Sequence, residues 1–208
     1  PAARDIALAN ATIAIDFTLP EAVPENLAAV VRAGIPWVIG ITGLDAARNA
    51  QIRKASERLP VLVAPNMSLA VNLLFGLADR AAASLPADYD VEILEAHHRH
   101  KADAPSGTAL RLGEIVAGSR GGTLAEQAVY GRLGKSDGRG AGTIGFSSLR
   151  GGDIVGEHHV LFAGTGETLE LVHRTTDRMT FAYGALAAAR WLVGRPPGLY
   201  GMSDVLGL

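Results

Sequence analysis

Short β-branched runs alternate with helical patterns through the first third of the chain. Thr12-Ile-Ala-Ile-Asp16-Phe17 predicts a strand; Thr18-Leu-Pro20-Glu21 follows, and apolar positions Val23, Leu27, Val30 and Val31 then mark one face of a helix that closes at Gly34. Trp37-Val-Ile-Gly40 predicts a second strand ending in Gly40-Ile-Thr-Gly43. A polar helix from Asp45 to Arg58 leads to a third, Val61-Leu-Val-Ala64. Strands separated by helices at this spacing predict a parallel sheet. In a doubly wound sheet ligands bind beyond the carboxyl ends of the strands, which here carry Asp16-Phe17-Thr18, Gly40-Ile-Thr-Gly43 and Ala64-Pro-Asn-Met67. Each alone reads as a tight turn; their shared position suggests a cofactor crevice.

The pattern then changes. A helix from about Ser68 to Ser84, with Val71, Leu74, Leu77 and Ala81 on its apolar face, is expected to cross to a second domain. Asp90 to Glu95 alternates as a strand, and Leu110, Leu112, Ile115 and Val116 mark a helix from Thr108 to about Ser119. Four further strands are predicted at Gln127–Tyr130, Thr143–Leu149, Asp153–Phe162 and Thr168–Arg174. Short links between the last three, containing Arg150-Gly-Gly152 and Gly164-Thr-Gly166, favour antiparallel hairpins. Met179 to Leu192 is helical, ending at Arg195-Pro-Pro-Gly198. The fold class is α/β: a partial Rossmann-like, doubly wound parallel sheet, plus a second α+β domain with a mixed or antiparallel sheet.

Composition narrows the function classes. A chain of 208 residues that is 48% hydrophobic has ample core, and a net charge of −2 gives no field for nucleic acid. The absence of cysteine excludes disulfides and thiolate metal sites and is compatible with the cytosol. No stretch approaches the roughly 18 apolar residues of a membrane span, and Pro1-Ala-Ala-Arg-Asp5 is not a signal peptide. The 25 glycines cluster at Gly118–Gly122 and Gly131–Gly145, which read as loops, and no internal period is found.

Candidate chemistry is concentrated in Glu95-Ala-His-His-Arg-His-Lys-Ala-Asp-Ala-Pro-Ser-Gly-Thr-Ala109. His97, His98, Arg99, His100 and Lys101 are consecutive, a density that needs partners if buried. Ser106-Gly107-Thr108 then opens a helix, whose N-terminal amides suit a carboxylate or phosphate. A cationic loop beside an anion-binding turn implies an anionic small molecule. His97 and Lys101, four apart, are placed to share one ligand and to supply protons near neutral pH. Three blander readings stay open: a solvated basic face, plain capping by Ser106, and a metal site on His98 and His100. Glu157-His158-His159 lies mid-strand, so the two histidines face opposite ways, and both are read as structural.

The Glu95–Ala109 stretch closely resembles the signature loop of the 4-hydroxy-tetrahydrodipicolinate (dihydrodipicolinate) reductases, bacterial and plant enzymes of lysine biosynthesis. The resemblance extends through Asp16-Phe17-Thr18, Gly40-Ile-Thr42-Gly43, Ala64-Pro-Asn66-Met67, Gly142-Thr-Ile-Gly145-Phe, Gly156-Glu157-His158 and Arg178-Met-Thr-Phe181-Ala. It implies hydride transfer from NADPH or NADH to a cyclic unsaturated imine dicarboxylate in the diaminopimelate pathway. By that likeness His97 is the acid/base residue and Lys101 the proton donor, with His98, Ser106, Gly107 and Thr108 binding substrate. Cofactor contacts carry over to Phe17, Gly40, Ile41, Thr42, Ala64, Pro65, Asn66, Met67, Arg178 and Phe181, although Ile41 stands where a threonine and Met67 where an aromatic or similar residue is expected. The likeness further implies a dinucleotide-binding domain over 1–67, with 178–208 returning to it, a substrate and oligomerisation domain over 68–177, a homotetramer, a cytoplasmic setting and no metal. The family's glycine-rich βαβ unit, of roughly 30 or more residues, has no counterpart before Thr12, where a helical patch at Ala2–Asn10 is too short; the first domain is therefore expected to be truncated. A paralogue that keeps the carboxylate pocket without the dinucleotide site, and a histidine metalloprotein, are the rivals.

Overall fold

In the computed structural model, which describes residues 3–135 and 138–208, the alternating N-terminal pattern becomes a parallel sheet. Chain order runs α1 (Ala3–Leu8), β1 (Ala14–Asp16), a 3-10 turn (Pro20–Ala22), α2 (Val23–Ala33), β2 (Trp37–Ile39), α3 (Ala46–Ser56) and β3 (Pro60–Val63). The chain continues through α4 (Leu69–Ser84), β4 (Asp90–His97), α5 (Gly107–Ser119), α6 (Leu124–Gln127), β5 (Ala128–Tyr130), β6 (Ile144–Arg150), β7 (Gly156–Gly164) and β8 (Glu167–Thr175). It closes with α7 (Met179–Leu192), β9 (Gly198–Tyr200) and α8 (Met202–Leu206). Ala2 of the expected N-terminal patch, and Ser136 and Asp137 of the glycine-rich 131–145 stretch, lie outside the described residues. Two units result, one of residues 1–72 with Met179–Leu208, the other Leu73–Arg178.

The first unit is a four-stranded parallel sheet in the order β1-β2-β3-β9. Period-two alternation sends Trp37, Ile39 and Val61 to one face, where they meet Val23, Val30 and Ile52 of α2 and α3. Val38 and Leu62 point the other way, against Ala185, Ala188 and Leu192 of α7 and Met202 of α8. Helices on both faces bury β2 completely, which is why it reads as a continuous apolar run. Local signals set the helix ends: Asp45 accepts the Arg48 amide at 2.8 Å and opens α3, and Gly34, at φ 67°, closes α2 with its N–H on the Val30 carbonyl. Strand β9 and helix α8 were not expected after Arg195-Pro-Pro-Gly198. Three residues are too few to show a pattern, and β9 exists because its register on β3 (Pro60 with Gly198, Leu62 with Tyr200) satisfies that edge.

The second unit carries a five-stranded mixed sheet in the order β5-β6-β4-β7-β8. One face packs Val91, Ile93, Ile144, Phe146, Val160 and Phe162 against Leu74 and Ala78 of α4 and Leu112 and Val116 of α5. Full burial of an aromatic such as Phe162 contributes on the order of 3 kcal/mol. The expected hairpin between β7 and β8 forms, with Val160 opposite Leu171. The one expected between β6 and β7 does not: β4 lies between them, parallel to β6 and antiparallel to β7. Residues 151–155 need to cross only two strand spacings, about 10 Å. The insertion buries Val91, Ile93, Glu95 and His97 of β4, which no edge strand could achieve. Helix α6, four residues long, was also not expected.

Candidate active site

Strand β4 does not stop at Glu95; it runs on to His97, so the first histidine of the basic run is held by sheet rather than loop. Glu95 and His97 are two apart and share the helix-covered face, with only 1% and 9% of their surface exposed. The neighbours are set by register. Glu95 sits beside Ser148 of β6 and His158 of β7, His158 beside His173 of β8, and His97 beside Arg150 at the end of β6. Helix α5 adds its N-terminus to this row, capped by Ser106, whose Oγ accepts the Ala109 amide at 3.2 Å.

Every oxygen of the Glu95 carboxylate is occupied. Arg150 donates to both, Nη1 to Oε2 at 2.8 Å and Nη2 to Oε1 at 2.7 Å. The Ser106 amide donates to Oε1 at 3.2 Å, and His97 Nδ1 lies 2.5 Å from Oε2. Burial alone would raise the Glu95 pKa, but hydrogen bonds from Arg150, Ser148 and His97 outweigh it and hold the carboxyl below its ordinary value. Burial lowers His97, opposed by Glu95 and reinforced by the charges of Lys101 and Arg150. His158 is pushed down to about 3, first by burial and then by His97 and His173, so it is neutral at physiological pH. Its Nε2 lies 3.2 Å from Ser106 Oγ, and its ring meets that of His97 edge-on at 5.2 Å.

Lys101 is half-buried and pairs with Asp103, Nζ to Oδ1 at 2.8 Å. The turn between His97 and Lys101 is pinned by backbone bonds, Gly151 N–H to the His97 carbonyl at 3.0 Å and Lys101 N–H to the His98 carbonyl at 3.1 Å. Arg150 also bonds the Asp103 carbonyl at 2.6 Å, tying the loop to the sheet. His98 is half-buried, and its ring lies 6.3 Å from that of His100. Gly107 has open space where a side chain would stand, so a ligand can approach the first turn of α5 closely; Thr108 follows it in that turn. The structure thus brings His97, Lys101, Ser106 and Gly107 to one end of the second sheet. Among the described residues no group of three His, Asp or Glu side chains is arranged to hold a metal.

The predicted cofactor residues from Phe17 to Met67 lie at the carboxyl ends of β1, β2 and β3, which are adjacent. Asp16 is buried and accepts from Thr18 N at 2.9 Å, Thr18 Oγ1 at 2.7 Å and Asn26 Nδ2 at 2.9 Å, which fixes the turn and sends Phe17 outward. The Phe17 ring lies where a Gly40 side chain would be, 2.2 Å from that position, so Gly40 is required for the aromatic to cover the strand end. Thr42 and Pro65 are exposed, Asn66 is half-buried and Ala64 is buried. The side chains of Ile41 and Met67 turn into the core, which leaves only their backbone for a ligand. Helix α7 lies close against the third strand end, a Gly184 side chain falling 1.7 Å from the Met67 carbonyl oxygen. Arg178 is exposed just ahead of α7 and Phe181 half-buried in its first turn. Adjacent strand ends with an exposed aromatic, an exposed Thr42 and accessible backbone fit a dinucleotide at the edge of such a sheet.

Sequence reasoning missed three members of the histidine site. His158, read as a structural strand residue, is the direct neighbour of His97 and Ser106. Glu95 was given no role, although its place two residues before His97 on a strand puts both on one face. Arg150 was assigned to a turn; no local pattern could pair it with a residue 55 positions earlier.

Two family models together span nearly the whole chain, the second running on through α7, β9 and α8 of the first unit. Residues 2–67 match the family model for the dihydrodipicolinate reductase N-terminus, and residues 70–206 that for its C-terminus. The 4-hydroxy-tetrahydrodipicolinate reductase of Thiobacillus denitrificans is 57% identical over 202 residues, 97% of this chain and 76% of the relative. That of Nitrosomonas eutropha is 54% identical over 97% of this chain and 75% of its own length. A dipicolinate-bound dihydrodipicolinate reductase from Paenisporosarcina sp. TG-14 superimposes with a TM-score of 0.78 at 28% identity, over 96% of this chain and 75% of that one.

Proposed function

The chain belongs to the dihydrodipicolinate reductase family, and on that premise we propose how its own residues carry the family's reaction. The activity is the reduction of 4-hydroxy-tetrahydrodipicolinate to tetrahydrodipicolinate with NADH or NADPH, the 4-hydroxyl leaving as water, a step of the diaminopimelate route to lysine. Relatives identical to it at more than half of the aligned positions carry the reductase name, which sets aside the non-catalytic paralogue.

The observation that carries the assignment of roles is the meeting of His97, Lys101 and the N-terminus of α5 at one end of the second sheet. A substrate carboxylate is held at Gly107 and Thr108, with Ser106 keeping that turn in shape and His98 adding a donor. Lys101 gives a proton to the dicarboxylate substrate as it takes up hydride, and His97 holds and returns protons at Nε2. That the Paenisporosarcina relative binds dipicolinate supports a planar dicarboxylate in this place. Phe17, Gly40 to Thr42 and Ala64 to Met67 would hold the dinucleotide, with Arg178 and Phe181 also assigned to it. When bound, its reduced nicotinamide supplies the hydride.

The uncovered face of the second sheet exposes Leu94, Leu149 and Val172, an apolar strip suited to a homotetramer built sheet on sheet. The cytoplasm is the setting in which this chemistry has its dinucleotide, and among the described residues no helix is long and apolar enough to cross a membrane. Lys101→Ala is the test of the site: kcat should fall on the order of 100-fold or more with substrate affinity changed far less. An equal fall in both would show that Lys101 only binds.

A further inference from the structure

We propose that Glu95 is a positioning residue: it holds the His97 ring in the Nδ1–H tautomer and locks that ring to the carboxylate-binding end of α5. This rests on His97 being the acid/base residue and adds what makes it one. The ionised carboxylate has no proton to give, so the 2.5 Å contact between Oε2 and His97 Nδ1 requires the proton to sit on Nδ1. Nε2 is then the nitrogen that exchanges a proton with the ligand. It points past Gly156, where an added side-chain carbon would lie 3.1 Å away.

Two further contacts make Glu95 more than a local partner. The Arg150 fork fixes the carboxylate plane, leaving one direction on Oε2 for the imidazole. On the other oxygen, the Ser106 amide bonds Oε1 at 3.2 Å, and Ser106 is the cap of α5. One carboxylate therefore sets both the proton-handling ring and the turn assigned to the substrate carboxylate, so that their separation is fixed by a single buried group. The charged and titratable groups facing His97 are Glu95 on its own strand, Lys101 on the following loop, Arg150 on β6 and His158 on β7. Of these only Glu95 favours the imidazolium, so it also keeps the ring protonatable at all.

Glu95→Gln removes the charge while keeping the shape. The Gln amide donates to Nδ1, turning the ring to the Nε2–H tautomer. The expected result is a loss in kcat on the order of 100-fold, and a shift of the His97 limb of the kcat/KM–pH profile to lower pH as the favouring anion disappears. A fall in kcat with an unmoved limb overturns the proposal, because loss of packing alone would produce that. The unaltered protein supplies a test free of any folding defect. With 15N-labelled histidine, and His97→Gln used for assignment, neutral His97 should show the shift pair of an Nδ1–H imidazole; an Nε2–H pair overturns the proposal. Should His97→Gln itself keep full turnover, the assignment of His97 fails instead, whatever the tautomer.

Discussion

Replacing Arg150 by Met tests how the buried Glu95 carboxylate is kept ionised. In the native protein two guanidinium bonds, at 2.8 and 2.7 Å, reach a carboxylate with 1% of its surface exposed. Met keeps much of the bulk and removes the charge. Leaving a buried charge without its partner costs about 3–5 kcal/mol. The alternative open to the variant is to protonate Glu95, which costs about 1.4 kcal/mol for each pH unit above the ordinary value. That value is 4.5, so protonation costs about 5 kcal/mol at pH 8 and about 1.4 kcal/mol at pH 5.5. The loss of stability should therefore be about 3–5 kcal/mol at pH 8 and shrink to about 1.4 kcal/mol at pH 5.5. The sign follows from the carboxyl. Native Glu95 lies below its ordinary value and stays charged at both pH values, so its stabilising contribution is present throughout and is lost only under stronger acid. In the variant its pKa is raised, so stability is retained at low pH and lost as pH rises. Urea unfolding at the two pH values measures this, with a midpoint shift of about 1–2 M expected at pH 8. Both tryptophans, Trp37 and Trp191, lie in the first unit, so circular dichroism is the signal to follow for the second. A loss below about 1 kcal/mol at pH 8, or one that is the same at both pH values, would refute the reasoning.

Two further perturbations address the other long-range contacts. His158, held near 3, stays neutral when folded while the unfolded chain takes up a proton below 6.5, so stability declines by about 1.4 kcal/mol per pH unit across that window; His158→Gln should make the urea-derived decline between pH 6 and pH 4 shallower by one proton, and an unchanged slope would contradict the assignment. Gly184→Ala sets a carbon 1.7 Å from the Met67 carbonyl oxygen, forcing α7 off the third strand end; a loss of about 1–3 kcal/mol, seen as an earlier thermal transition in tryptophan fluorescence, should accompany weaker dinucleotide binding, and unchanged melting would show that the backbone yields freely.

Much of this was legible because the signals are local. The strand at Trp37–Ile39, the helix start at Asp45, the Ser106 cap and the Gly34 stop all report on residues within one turn or one strand, where side-chain direction follows from backbone geometry. The histidine run and the helix opening at Ser106-Gly107 marked the candidate site for the same reason: proton carriers and N-terminal amides were adjacent in sequence. Where the reading failed, the missing information was non-local. A hairpin between β6 and β7 is the natural outcome of a short link, and nothing in residues 144–164 says that β4 will enter between them.

From the chain alone came the alternation of strands and helices, the two kinds of sheet, and His97 and Lys101 as candidates for handling an anionic ligand. Only tertiary structure decided that Arg150 and His158 join Glu95, His97 and Ser106 and that Glu95 is buried with every oxygen occupied. Periodicity records whether a residue faces a core, whereas the partner waiting there is chosen by strand order, and strand order depends on how whole faces fit together.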